Sequence, residues 1–61
     1  MDVPQYALHV DEATGKETPV IIIQAEENGA TRIVGYQELG SDQLGAALLR
    51  EVRLLGTQKP I

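Results

Sequence analysis

Val20-Ile21-Ile22-Ile23 sets four β-branched residues in a row. Two heavy atoms on each Cβ crowd the preceding turn of a helix and suit a pleated surface instead. The stretch 18–25 therefore reads as a strand, with Pro19 near its start, where a missing N–H breaks no ladder. Asn28-Gly29 follows, and a second apolar stretch, 31–39, comes directly after it. Both residues of an Asn-Gly pair tolerate positive φ, so an Asn-Gly between two apolar runs predicts a tight hairpin. If these two residues form the turn, Glu27 pairs with Ala30, Ile23 faces Val34 and Ile21 faces Tyr36. Gly35 marks a bulge or a close backbone approach.

An earlier strand is expected over 3–10, where Tyr6, Leu8 and Val10 alternate with Gln5, Ala7 and His9. Between the two lies Asp11-Glu12-Ala13-Thr14-Gly15-Lys16-Glu17, a loop in which Gly15 suits the left-handed position that closes a hairpin. Beyond Leu39 the texture changes. Ser41 is a candidate N-cap and Asp42 suits a helix start. Residues 43–55 have helical composition, Arg50 and Arg53 fall where a helix end favours cations, and Gly56 suits the left-handed residue after the last turn. The predicted fold is α+β: a three-stranded antiparallel meander followed by one C-terminal α-helix, β-β-β-α, in a single domain over residues 1–61.

The chain has 61 residues, nine Asp or Glu against five Lys or Arg, a net charge of −4, and no Cys. No disulfide, thiolate zinc site or cysteine nucleophile is available. One His builds no multi-histidine metal site. The acidic balance argues against a general affinity for nucleic acid or an anionic membrane. No run approaches the ~20 apolar residues that a membrane span needs. Met1-Asp2-Val3-Pro4 lacks the basic and apolar regions of a signal peptide, so a cytoplasmic protein is expected.

A chain this short buries only about 60% of the surface its unfolded form exposes, and such a core rarely supplies more than roughly 3–5 kcal/mol. The apolar residues nevertheless exceed what one helix on one sheet face can cover. Ile21, Ile23, Val34 and Tyr36 load one face of the meander, and Val20, Ile22 and Ile33 load the other. At ~100° per residue, the expected helix is apolar over an arc of about 220°, wider than the stripe of an ordinary surface helix. Glu51 falls inside that arc with no intrahelical partner, so it needs a cation such as Arg32 or a wet edge. This excess predicts a homo-oligomer, a dimer first. The expected protein-interface residues are Val20, Ile22, Ile33, Leu49, Glu51 and Leu54.

No candidate chemistry rises above an ordinary structural role. Gly15-Lys16 ends like a phosphate-binding loop, but Glu17 stands where Ser or Thr is needed and the earlier glycine is missing. His9 has no neighbouring pattern that supplies a nucleophile or a second ligand. Asp11, Glu12, Glu17, Glu26 and Glu27 crowd the turns, without the spacing of a calcium loop. Tyr6 and Tyr36 would need a basic groove to stack nucleic-acid bases.

The expected function is a non-catalytic protein-protein interaction module, self-associating, with no cofactor and no metal. The alternative is a DNA-associated module or an acidic decoy of nucleic acid. The β-β-β-α order is similar to that of plant ethylene-response domains and phage-integrase arm-binding domains, which implies duplex reading by the sheet, though their basic sheet residues are missing here.

Overall fold

The computed structural model describes residues 2–29 and 31–60. Strands stand at Gln5–Val10 (β1), Glu17–Asn28 (β2) and Thr31–Glu38 (β3). Two more follow, Leu44–Leu48 (β4) and Val52–Gly56 (β5), joined by a single 3₁₀ turn at Leu49–Glu51. All neighbours are antiparallel, in the order β4-β3-β2-β1-β5. The protein is all-β, not α+β.

The C-terminal helix expected over 43–55 is therefore absent. An isolated helix of that length is marginal in water and draws its stability from packing. Here the packing goes elsewhere. β4 pairs with β3 and β5 with β1, so both edges of the three-stranded meander gain a neighbour. Gly45 is the residue a helix tolerates worst, and in β4 its missing side chain is used. A Cβ at Gly45 would stand 2.7 Å from the Tyr36 ring. Ser41 caps no helix and lies in the turn between β3 and β4, where Asp42 has φ 59. Arg50 belongs to the 3₁₀ turn, Arg53 to β5, and Gly56, at φ 65, ends a strand.

Strand order alone requires the sheet to curl. In a flat sheet β4 and β5 would lie four spacings apart, about 19 Å at ~4.8 Å each. Three residues join them, and the four Cα–Cα steps from Leu48 to Val52 reach at most about 15 Å. The sheet therefore rolls into a partly open barrel, with no ladder between β4 and β5 among the described residues. Curling answers the problem of two apolar faces, because one face becomes the inside. Ala7, Val20, Ile22 and Val34 form the buried cluster, with Tyr36, Leu49 and Val52 packed against it and Ala47 also buried. Each fully buried Val or Ile contributes about 1.5–3 kcal/mol.

The β2–β3 register differs from the expected one. Asn28 pairs with Thr31 and Ala25 with Val34, so the reversal falls after Asn28, with Gly29 at φ 64. Ile22 pairs with Tyr36 and Gln24 with Gly35, leaving Ile23 as an extra residue. That bulge bends β2. Its first half lies between β1 and β3, while residues beyond it pair with β3 alone. The expected Glu27–Ala30 pair involves a residue outside those described.

Candidate functional site

The bend in β2 leaves one side of the barrel uncovered. β1 begins only at Gln5, opposite Ile22, so Gln24 and Ala25 have no β1 neighbour. A cleft of about 470 Å³ opens there. Val34, Leu49 and Leu54 supply apolar walls, and Gln5, Ala25 and Ile33 complete the lining with a charged rim of Glu26, Glu27 and Arg32. Leu54 is 44% exposed and Ile33 38%. A second depression of about 390 Å³ adjoins it across Arg32 and Leu49 and includes Thr31, Leu48 and Arg50.

The rim charges pair with each other rather than with Glu51. Arg32 Nε lies 3.5 Å from Glu27 Oε1, with both side chains largely exposed, a contact worth little to stability. Glu51 finds a different partner. Its Oε1 accepts the backbone N–H of Leu48 at 3.0 Å, partly buried. That bond supplies the partner that an acid among apolar residues requires, and it ties the 3₁₀ turn to the end of β4.

The six expected interface residues separate into three groups. Val20 and Ile22 are fully buried and belong to the core of the chain itself. Ile33, Leu49 and Leu54 come together at the cleft, from β3, the turn and β5. Glu51 ends the 3₁₀ turn and accepts the N–H of the last residue of β4. Sequence reasoning missed Gln5 and Arg32 as lining residues, and it missed β4 altogether. The missed signal was the short run Leu44-Gly45-Ala46-Ala47-Leu48, which contains no charge and puts a glycine where a helix disfavours it.

Other residues singled out in the sequence lie apart from the cleft. His9 stacks on Tyr36, with ring centroids 5.3 Å apart and an interplanar angle of 27°. Tyr6 pairs across from Ile21. Gly15, at φ 75, donates its N–H to the Asp11 carbonyl at 2.6 Å, closing the β1–β2 turn beside Lys16. Among the described residues no three His, Cys, Asp or Glu side chains converge in a way that could hold a metal ion. Among the described residues no helix is long and apolar enough to cross a membrane.

Comparison with protein-family models, curated proteins and solved structures finds no match to this chain. The site must be read from its own chemistry. An apolar cleft with a mixed-charge rim can bury an aliphatic or aromatic side chain and orient the backbone around it through Gln5 and the rim charges.

Proposed function

We propose that this chain is a non-catalytic protein-interaction module, self-associating and acting in the cytoplasm, that receives an apolar side chain from an extended segment of another protein. The observation that carries the reading is the cleft. Leu54 and Ile33 stay substantially exposed beside Leu49, in a chain whose remaining core is small enough to need every apolar contact. Anchoring by one buried apolar side chain within a polar rim is how compact interfaces concentrate their energy. The duplex-binding alternative has lost its support, since its likeness to known DNA readers lay in a C-terminal helix that the fold replaces with two strands.

The test is a native pull-down with the wild-type chain beside Leu54→Glu, which places a carboxylate on the cleft wall next to Glu26 and Glu27. The variant's melting curve reports that it is folded. The expected result is a protein partner held by the wild type and lost by the variant. A wild-type bait that retains no protein, or a partner that Leu54→Glu holds equally well, overturns the reading.

A further inference from the structure

The self-association in that reading has a specific place on this fold. We infer that two copies of this chain join edge to edge through β4, antiparallel about a two-fold axis at Ala46, extending the sheet from one barrel into the next.

The first support is the direction of the backbone groups. The Glu38 N–H donates to the Gln43 carbonyl at 2.8 Å, in phase with the β3–β4 ladder of Gln37↔Leu44 and Tyr36↔Gly45. Bonded pairs alternate along an antiparallel ladder. Gly45 and Ala47 therefore turn their N–H and C=O toward β3, while Leu44, Ala46 and Leu48 turn theirs to the free edge. The Leu48 N–H agrees, since it meets Glu51 and not β3. The N–H groups of Leu44 and Ala46 meet no acceptor among the described residues. A free strand edge is a template for another strand unless charge, proline or a covering element blunts it; none of β4's five residues is charged or proline, and the Glu51 carboxylate covers the edge at Leu48 alone.

The second support is self-complementarity, which a two-fold contact demands. In the pairing centred on Ala46, Leu44 stands opposite Leu48 of the second copy, and Ala46 opposite its own counterpart. Ala46 exchanges two N–H to C=O bonds with the second copy's Ala46, and each Leu44 N–H donates to the opposing Leu48 carbonyl, while the reciprocal bond from the Leu48 N–H to the Leu44 carbonyl forms only where Leu48 gives up the Glu51 carboxylate. Leu44, 69% exposed and the most exposed large apolar residue described, gains a leucine neighbour. The flanks are charge-complementary. Asp42 precedes β4 and Arg50 follows it, both exposed, so the antiparallel arrangement brings Asp42 of one copy toward Arg50 of the other at both ends. A chain of net charge −4 thus meets itself with opposite charges at both ends, and the one carboxylate on the edge, Glu51, is engaged by the Leu48 N–H. The contact is small beside the ~800 Å² per partner of a stable complex, so the dimer is concentration-dependent.

The proposal rests on the self-association reading, and sedimentation equilibrium separates the two. The expected wild type is a monomer–dimer equilibrium. Ala46→Pro deletes an N–H that bonds nothing within the chain and is expected to weaken dimerisation about tenfold or more. Ala46→Glu and Ala46→Lys are exposed changes that fold even if the proline variant does not. Each alone sets like charges across the axis and weakens its own dimer, whereas the two mixed together form a heterodimer at least as strong as the wild type. A wild type that stays monomeric at its highest soluble concentration overturns self-association and this contact with it. A wild-type dimer that these variants leave unchanged, or a ring of more than two copies, overturns the β4 contact alone.

Discussion

The two apolar stretches of this chain make opposite use of the same dependence on long-range pairing. In β2, Val20-Ile21-Ile22-Ile23 is stiff at χ1, and its local preference agrees with the sheet it joins. In the stretch from Gln43 to Gly56, leucine, alanine, glutamate and arginine prefer a helix locally, yet they form two strands at opposite edges of one sheet. The difference lies in what each stretch has to cover. β2 is central and buries Val20 and Ile22 completely. The C-terminal stretch fills the two vacancies that β2's neighbours leave, and tertiary contact outweighs a preference of a few tenths of a kcal/mol per residue.

The largest effect expected from breaking this comparison is at its centre. Ile22 is fully buried against Ala7, Val20 and Val34. Ile22→Ala removes its packing and leaves a cavity, a loss of about 2–5 kcal/mol. Because a core of this size supplies roughly 3–5 kcal/mol, the variant is expected to be largely unfolded at room temperature by circular dichroism. A cooperative melt close to that of the wild type would show that β2 is not the centre of the core.

Gly45 gives an intermediate effect whose sign separates the two descriptions of the C-terminal stretch. In a helix, Gly→Ala stabilises by about 1 kcal/mol. In β4 the added methyl meets the Tyr36 ring at 2.7 Å, and that ring is held on its own account by the stack with His9. Gly45→Ala is therefore expected to destabilise by about 1–3 kcal/mol in a denaturant titration. Tyr36→Leu, which takes the ring away, should abolish most of that penalty in the double variant. A stabilised Gly45→Ala would return the segment to a helix.

These contrasts show where the sequence was legible. β-branched runs, the Asp11–Gly15 turn and the Gly29 reversal act within a few residues of chain, so the first three strands follow from local chemistry. The register was less legible: Gly35 signalled a bulge or a close approach, but the extra residue stands opposite it, at Ile23 in β2, and shifts all that follows. The C-terminal strands depend on partners 7 to 50 residues away, from the Leu44↔Gln37 pair in β4 to the Gly56↔Tyr6 pair in β5. The sign of trouble was present all the same. An apolar arc of about 220° is too broad for a surface helix, and here it reflects strand residues wound onto the wrong period. At the cleft, Ile33, Leu49 and Leu54 were legible as apolar residues left over, whereas the lining by Gln5 and Arg32 needed the curl of the sheet.

The smallest expected effect concerns Glu51, the residue that fitted the helical reading worst. Inside a helix's apolar arc, an unpartnered carboxylate is a cost, and Glu51→Gln would relieve it. Here its Oε1 holds the Leu48 N–H at 3.0 Å, and a charged acceptor makes roughly twice as strong a bond as a neutral one. Glu51→Gln keeps the shape and the acceptor atom but loses the charge, so it should cost about 1 kcal/mol. Amide hydrogen exchange adds a local reading. Leu48 should lose protection in Glu51→Gln and lose more in Glu51→Ala, while Ala7 and Val34 in the core keep theirs apart from the global shift. An unchanged Leu48 amide, or a stabilised Glu51→Gln, would mean that the turn between β4 and β5 is not held by this carboxylate. The short connection that forces the sheet to curl would then need another source of order.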